Sequence, residues 1–567
     1  MSEVLVSVKD LVVEFPMRKQ TVTAVDGISF EIFKGELLGV VGESGAGKSM
    51  TGAAIIGLIE PPGRIANGTV ELRGERIDNL PPEVMRSIRG KRIGVIFQDP
   101  LTSLNPLYTV GQQLTETIEY HLRISAGEAR ERAIGLLERV GIPNPSVRID
   151  QYPHQFSGGM RQRVVIALAL CSDPEVIIAD EPTTALDVSI QAQILELIRE
   201  LAKERQVGVI LVTHDMGVIA ETTDRVLVMY DGEIVETGPT EQVLGSPEHP
   251  YTKSLIAAVP RPDRKFKRFP QISYGGRETV FKIEDLARNW PETKKSEGPL
   301  VEVRNITKQF LEKSSFIPSQ RGYFTAVDDV SFEIRTGEVF GLVGESGSGK
   351  STIARMIAAL YDLDGGEIEF DGKPVSRSDK DAMFEFRRQI QMIFQDPYSS
   401  LNPRHRVDQI IAEPALHLGA IPKSQIESRV GELLDRVGLG AEAGLKYPHE
   451  FSGGQRQRIS IARALATQPR FLICDEPTSA LDVSIQAQIL NILKDLQEHL
   501  GLTMLFISHD LPVVRQMCDR VGVLKNGQLL EVSPTEDLFA NPAHDYTKEL
   551  LQLMPKTDVL STEGLTV

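Results

Sequence analysis

Short apolar runs alternate with longer stretches of mixed polarity along the whole chain. Residues 37–41, 176–179 and 209–212 are almost entirely apolar, which is typical of strands buried on both faces. Between such runs, residues 126–142 carry apolar side chains at helical spacing. Asp231-Gly232 and Asn526-Gly527, each between two strand-like segments, predict tight hairpins. The pattern therefore predicts α/β domains with added antiparallel strands.

The same pattern is written twice. "DVSIQAQIL" stands at 187–195 and again at 482–490, and "HPYTKSL" at 249–255 has its counterpart "HDYTKEL" at 544–550. "FSGGMRQR" at 156–163 corresponds to "FSGGQRQR" at 451–458. The two members of each pair are separated by the same number of residues, 295. A duplicated domain of about 250 residues explains this constant separation, because solenoid repeats have much shorter periods. We predict a first domain at 1–260, a linker at 261–299, a second domain at 300–555 and a tail at 556–567.

Composition narrows the class of protein. The 567 residues carry a net charge of −16, which argues against a nucleic-acid partner that would require clustered cations. None of the three cysteines has metal-ligand spacing, so a reducing cytoplasm is expected. The start of the chain does not resemble a signal peptide, and the longest apolar run, 164–171, is far below the roughly 18 residues of a membrane-spanning helix. We expect no bilayer crossing by this chain.

The linker is rich in proline and charge and has weak periodicity, with room for one short helix. Arg264, Lys265, Lys267 and Arg268 form a basic cluster in it. The expectation is a solvated connector. Contact with lipid headgroups or with a partner is the alternative.

A glycine-rich phosphate loop, GxxxxGK[ST], directly follows an apolar strand in each copy. Its backbone N–H groups can surround a phosphate, its lysine can reach the outer phosphates, and its last hydroxyl can bind Mg²⁺. Two such loops in the same strand-then-helix context make coincidence implausible. The loop residues are Gly42, Ser44, Gly45, Gly47, Lys48 and Ser49, and then Gly344, Ser346, Gly347, Gly349, Lys350 and Ser351.

Acidic pairs end a later apolar strand in each copy, in "VIIADEP" and "FLICDEP". Asp180 and Asp475 suit a Mg²⁺ role, whereas Glu181 and Glu476 are placed to polarise a water molecule for attack on the terminal phosphate. His214 and His509 end another strand, where a histidine is often structural, but the duplicated order favours a γ-phosphate sensor. Gln98 and Gln395, in "FQDP", supply an amide for Mg²⁺ or for the attacking water.

The order of phosphate loop, glutamine, "SGG", acidic pair, "ALD" and histidine resembles the ATP-binding-cassette ATPases over nearly the whole chain. The resemblance implies ATP and Mg²⁺ as ligands and two tandem cassettes. Each would contain a RecA-like phosphate-loop core, an antiparallel β subdomain and an inserted α-helical subdomain, at about 99–170 and 396–465. It also implies ATPase activity.

In that family two cassettes face head to tail, so the resemblance implies that each phosphate loop faces the "SGG" signature of the other copy. The first loop would pair with Ser452, Gly453, Gly454 and Gln455, and the second with Ser157, Gly158, Gly159 and Met160. Asp187 and Asp482, in "ALD", would cross the interface, and Phe15 and Phe310 resemble the adenine-stacking aromatic, although a core phenylalanine is the alternative. Methionine cannot replace the hydrogen bonds of a glutamine amide, yet the serine, both glycines and both catalytic acids remain. We therefore predict two active sites.

A finer resemblance is to the ATPases of the dipeptide, oligopeptide, glutathione and nickel importers, carried by "FQDPLTSLNPLYTVGQQLTE", "YPHQFSGGMRQRV" and "HPYTKSLIAAVP". It implies peptide cargo, with nickel, opines and sugars still open. It also implies two membrane-spanning subunits docked near Gln98 and Gln395, an extracytoplasmic binding protein, and a place at the cytoplasmic membrane face. Some relatives hold an iron–sulfur cluster on cysteines after "HPYT", which this chain lacks, so no cluster is expected.

Two tandem-cassette proteins from other classes are less compatible with the sequence. A ribosome-binding factor would require a long basic helical linker and a basic surface, whereas this chain is acidic. A cassette ATPase of DNA repair would require zinc-finger cysteines inserted in its domains.

Overall fold

The chain divides into two units, one ending at Val259 and the other spanning Pro260–Met554. The computed structural model describes residues 3–18, 20–183, 188–263, 265–270, 283–287, 290–291, 298–313, 322–479 and 481–554.

Two sheets organise the first unit. Its strands are β1 (Val4–Pro16), β2 (Thr21–Phe33), β3 (Leu37–Val41), β4 (Arg64–Leu72), β5 (Glu75–Arg76), β6 (Ile93–Ile96), β7 (Val176–Asp180), β8 (Gly208–Val212), β9 (Arg225–Tyr230) and β10 (Glu233–Pro239). An antiparallel sheet has the order β2-β1-β4-β5, and a second sheet has the order β10-β9-β3-β8-β7-β6. The second sheet is parallel except for β10, which pairs antiparallel with β9 through the predicted Asp231-Gly232 hairpin.

Helices surround the mixed sheet and also form a separate group between β6 and β7. They are α1 (Lys48–Ile55), α2 (Pro82–Ile88), α3 (Pro100–Ser103), α4 (Val110–Leu122), α5 (Ala126–Arg139), α6 (Pro145–Arg148), α7 (Gly158–Leu170), α8 (Val188–Arg205), α9 (Met216–Thr222), α10 (Thr240–Gly245) and α11 (Pro250–Ala257). Helix α5 ends three residues before the predicted limit because Gly141 adopts a left-handed φ of 76° just beyond it. No described helix of the chain has the length and apolarity needed to span a membrane.

The central strands explain why their sequence is uninterruptedly apolar. Side chains alternate along a strand, so Leu38 and Ile210 pack toward the antiparallel sheet, while Leu37 and Leu211 pack with the helical group. Both faces of the sheet are covered, and each position is therefore buried.

The second unit repeats this arrangement. Its elements are α12 (Glu284–Ala287), β11 (Pro299–Lys313), β12 (Gly322–Arg335), β13 (Val339–Val343), α13 (Lys350–Ile357), β14 (Gly365–Phe370), β15 (Lys373–Pro374), α14 (Lys380–Gln389), β16 (Ile390–Ile393), α15 (Pro397–Ser400), α16 (Val407–His417), α17 (Ile426–Arg436), α18 (Gly453–Leu465), β17 (Phe471–Asp475), α19 (Val483–Leu500), β18 (Thr503–Ile507), α20 (Leu511–Met517), β19 (Arg520–Lys525), β20 (Gln528–Pro534), α21 (Thr535–Ala540) and α22 (Asp545–Gln552). Its sheets have the orders β12-β11-β14-β15 and β16-β17-β18-β13-β19-β20. Both units thus have the predicted α/β class.

The segment expected to be a solvated connector packs against the second unit where the structure describes it. Phe269 is 2% exposed, and Asn491 on α19 both accepts from its N–H and donates to its carbonyl oxygen, each at 2.9 Å. Arg268 forms ion pairs with Asp495 and Glu498 on the same helix. The predicted short helix is α12, which also contacts α19. Of the basic cluster, Arg264 lies outside the described residues.

We expect Phe269→Ala to destabilise the second unit by about 3–5 kcal/mol, because a fully buried phenylalanine would leave a cavity over α19. Urea unfolding followed by circular dichroism measures the loss. Phe266→Ala is the matched control, since Phe266 is only half-buried, and it should cost less. Equal unfolding curves for wild type and Phe269→Ala would show that this packing contributes nothing in solution.

Candidate active sites

The loop between β3 and α1 carries a buried lysine at its end. Lys48 is 6% exposed, and its Nζ donates to the carbonyl oxygens of Gly42 (2.7 Å) and Glu43 (2.8 Å). In the second unit Lys350 Nζ donates to Gly344 and Glu345 oxygens, both at 2.7 Å. The ammonium group thus closes each loop onto itself, and a bound phosphate would compete with the loop carbonyl oxygens for it.

Glycines are required where the loop passes close to neighbouring backbone. A Cβ on Gly47 would lie 2.5 Å from the carbonyl oxygen of Ala24, and one on Gly349 would lie 2.5 Å from that of Ala326. Gly45 has nothing within 4 Å of its Cβ position, and the neighbouring Ser44 is exposed. Gly347 and Ser346 repeat this in the second unit. The tight side of each loop is therefore packed and the other side is open, as a phosphate cradle requires.

A serine hydroxyl and an aspartate carboxylate lie close together at the start of α1 in the first unit and at the start of α13 in the second. Ser49 Oγ donates to Asp180 Oδ1 at 3.0 Å, and Ser351 Oγ to Asp475 Oδ1 at 2.9 Å. Burial raises the pKa of both aspartates, against the hydrogen bonds from the serines, which lower it. Hydroxyl and carboxylate oxygens in this arrangement fit Mg²⁺, which prefers hard oxygen ligands.

A glutamate is held in a strained backbone conformation directly after β7. Glu181 has φ 45°, and its N–H donates to the carbonyl oxygen of Val212 at 2.8 Å. Its carboxylate accepts a hydrogen bond from Gln98 Nε2 at 2.7 Å and lies 3.1 Å from His214 Nδ1. The three side chains that the sequence places in separate motifs are thus in direct contact.

The second unit builds the same triad. Glu476 has φ 47°, accepts from Gln395 Nε2 at 2.8 Å, and lies 3.2 Å from His509 Nδ1. Burial opposes the charged form of both groups, but the hydrogen bond between them lowers the pKa of Glu476 and raises the pKa of His509. The carboxylate is therefore held ionised, as a group that accepts a proton from water must be.

The two "SGG" segments begin the helices α7 and α18. Ser157 Oγ accepts from the Met160 N–H at 3.3 Å, and Ser452 Oγ from the Gln455 N–H at 3.4 Å. Gln455 Oε1 additionally accepts from the Ser452 N–H at 3.0 Å, completing a capping box that Met160 cannot make. In the first unit, therefore, the methionine at the position of Gln455 removes a helix-capping bond that the second unit keeps.

The second glycine of each signature has a packing role. A Cβ on Gly159 would lie 2.8 Å from Ile190 Cγ2, and one on Gly454 would lie 2.3 Å from Ile485 Cγ2. Gly158 has nothing within 4 Å of its Cβ position, and Gly453 has only a contact at 3.7 Å. The first glycine of each pair is consequently available for close approach by a ligand.

The remaining predicted residues are less closely joined to the triads. Phe15 is half-buried on β1 and pairs with Val22 on β2. Val22 lies two residues before Ala24, whose carbonyl oxygen lies against Gly47 of the phosphate loop. Phe310 contacts Tyr361 edge to face, with ring centroids 5.7 Å apart. Asp482 lies at the N-cap of α19. Asp187 lies outside the described residues.

Sequence reasoning missed a tyrosine in each unit. The hydroxyl oxygen of Tyr251 accepts a hydrogen bond from the Glu43 N–H in the phosphate loop (3.0 Å), and that of Tyr546 from the Glu345 N–H (3.3 Å). Both belong to the repeated "YTK" sequence, which was the signal available.

Together these groups offer a glycine-rich loop with a buried lysine, a hydroxyl–carboxylate pair whose oxygens fit a cation, and a carboxylate fixed by an amide and an imidazole. This combination suits transfer of a phosphoryl group to water, in which positioning and electrostatics supply most of the catalysis.

Comparisons with known proteins agree with this chemistry. The ABC transporter family matches residues 25–184 and 327–479, and the oligopeptide/dipeptide transporter C-terminal region matches 235–279 and 530–566. The chain is 46% identical over 561 residues to the glutathione import ATP-binding proteins GsiA of Escherichia coli and Shigella boydii, covering 97% of this chain and 89% of each relative.

Among solved structures, the dimeric ATP-binding cassette MJ0796 bound to ADP and phosphate is 29% identical and aligns with a TM-score of 0.39, covering 42% of this chain and 99% of that cassette. The two family matches, the 46% identity and the duplicated triads lead to one assignment: the chain belongs to the ABC transporter family, as an ATPase with two tandem cassettes.

Proposed function

We propose that this ATPase energises the import of peptides, with glutathione as one candidate, through a membrane importer. The observation that carries the proposal is the 46% identity, over 97% of the chain, to glutathione import ATP-binding proteins. The oligopeptide/dipeptide transporter region matched in both units supports it independently.

Within each cassette we assign Glu181 and Glu476 as the groups that polarise the attacking water. Gln98 and Gln395 position that water, and His214 and His509 sense the γ-phosphate. The support is the direct contact of all three side chains in each unit. A Mg²⁺ ion near Ser49 and Asp180, or Ser351 and Asp475, would neutralise phosphate charge when bound.

We propose further that each ATP site needs both cassettes, with the phosphate loop of one completed by the signature of the other. The first glycine of each signature, Gly158 or Gly453, supports this arrangement. Neither has a close contact at its Cβ position, and each lies at a helix N-terminus, which favours an anion. Both signatures keep their serine and glycines, so both sites should hydrolyse ATP. We likewise propose that the two cassettes extend over residues 1–260 and 300–555.

The partners would be two integral-membrane permease subunits and an extracytoplasmic substrate-binding protein, with the chain held peripherally at the cytoplasmic face of the membrane. The exposed apolar side chains next to the glutamine motifs, Phe97 and Leu101 in the first unit and Tyr398 in the second, support docking of the permease there. ATP binding and phosphate release would then alternate the permease between its two orientations.

Uptake of labelled di-, tri- and oligopeptides, with glutathione included, tests the cargo. We expect uptake to fall in a deletion strain that lacks other peptide importers. Wild type should restore it, whereas Glu181→Gln combined with Glu476→Gln should not, because ATP hydrolysis would be lost while the fold is kept. If no peptide responds to the deletion, the cargo assignment is wrong although the ATPase assignment stands.

A further inference from the structure

We propose that Tyr251 and Tyr546 are positioning residues that hold the two phosphate loops in the shape that receives ATP. The proposal rests on the ATP-binding role assigned to these loops. Each hydroxyl oxygen accepts a hydrogen bond from the second residue of the loop, Glu43 or Glu345. Tyr251 is fully buried and Tyr546 is 3% exposed, so neither bond competes freely with water.

The tyrosines are themselves fixed by a short chain of contacts. His249 precedes α11, and its Nδ1 accepts from the Tyr251 N–H at 3.2 Å, while Glu236 on β10 accepts from the His249 N–H at 3.1 Å. In the second unit His544 Nδ1 accepts from the Tyr546 N–H at 3.1 Å, and Glu531 on β20 accepts from the His544 N–H at 3.0 Å. The C-terminal segment of each unit is thereby anchored to the sheet and reaches the phosphate loop through one phenol.

The opposite side of the same loop residue is held by the lysine. Lys48 Nζ donates to the carbonyl oxygen of Glu43, whereas Tyr251 accepts from its N–H. When the ammonium group turns toward a phosphate, it releases the loop carbonyls. The bond to the tyrosine does not depend on that movement, so it keeps the loop open during the exchange. The same reasoning applies to Lys350, Glu345 and Tyr546.

The test is the double variant Tyr251→Phe with Tyr546→Phe in the full chain, with a fluorescent ATP analogue as the probe. The ring is kept and the phenol hydroxyl is lost, which removes the acceptor from the N–H of Glu43 and of Glu345. We expect the Kd for the analogue and the KM for ATP to rise roughly tenfold while kcat changes less than about twofold. An unchanged Kd, or a fall of kcat without a rise of KM, would overturn the proposal.

Three further variants separate positioning from stability. Phe269→Ala lowers stability away from the loops and should leave Kd unchanged. His249→Ala with His544→Ala removes the cap that orients each tyrosine and should raise Kd, whereas asparagine at both positions restores a capping acceptor and should return it toward wild type. If the alanine pair leaves Kd unchanged, the tyrosines are not oriented as proposed.

Failure of the underlying function looks different. A wild-type chain that binds no ATP analogue would overturn the ATP-site assignment itself. A wild type that binds ATP normally while the tyrosine variant binds it equally well would overturn only the tyrosine proposal. Failure of peptide uptake would affect the cargo alone.

Discussion

Replacing Glu181 and Glu476 together by glutamine should lower the ATPase rate by about 10²–10⁴-fold, the loss expected if each glutamate is the general base that we propose. Glutamine has the same size and can keep the contact with the neighbouring amide, but it cannot accept a proton from water. The strained φ of 45° at Glu181 and 47° at Glu476 fixes each carboxylate between a glutamine and a histidine. ATP binding should survive, because the phosphate loops are untouched.

Steady-state phosphate release measures this loss, and the single variants decide whether both sites are active. Each single variant should lose a large share of the rate. Glu131→Gln, on the exposed face of α5, is the matched control and should behave as wild type. If Glu476→Gln keeps the full rate while Glu181→Gln abolishes it, the site that contains Glu476 and pairs with Met160 contributes no hydrolysis, and the prediction of two active sites fails.

The triads were predictable from sequence because each motif stands at the end of a buried strand, and parallel strands end at one edge of a sheet. Their contacts, such as Gln98 with Glu181, follow from that topology. The role of Met160 was only partly predictable. The lost hydrogen bonds could be inferred from the residue type, but the capping box between Ser452 and Gln455 required the helix boundary.

The packing of the linker could not be inferred from its own composition, because a segment rich in proline and charged residues is usually exposed to solvent. The signal lies instead in the helices that receive it. Asn491 and Gln516 are 3% and 1% exposed, and Gln516 Oε1 accepts from the Phe266 N–H. Their counterparts in the first copy are Glu196 and Glu221. Buried amides where the other copy has acids indicate a polar backbone partner.

The tyrosine contacts illustrate a second limit. "HPYT" was recognised as a repeat and as a mark of the peptide-importer group, yet its distance along the chain from the phosphate loop is about 200 residues. The folded sheet, which Glu236 on β10 joins to His249, brings the two together. Sequence patterns identify residues that act within one element more readily than those that act between distant elements.

The first glycine of each phosphate loop tolerates no side chain in the structure. Gly42 has φ 152° and Gly344 φ 148°, values that L residues rarely adopt. A Cβ on Gly42 would lie 2.2 Å from the carbonyl oxygen of Met229, and one on Gly344 would lie 2.1 Å from that of Leu524. Both obstacles are backbone atoms of the central sheet, in β9 and β19, so they cannot move aside as a flexible side chain would.

Gly42→Ala with Gly344→Ala should therefore displace both loops and raise the Kd for a fluorescent ATP analogue by about 100-fold, since backbone strain alone costs about 1–3 kcal/mol per site. Gly127→Ala with Gly135→Ala makes the same chemical change on α5, where nothing lies within 4 Å, and should leave Kd unchanged. Circular dichroism separates a displaced loop from an unfolded unit. Wild-type affinity in the loop variant would mean that the loops are not held against β9 and β19, and the phosphate cradle would have to be assigned elsewhere.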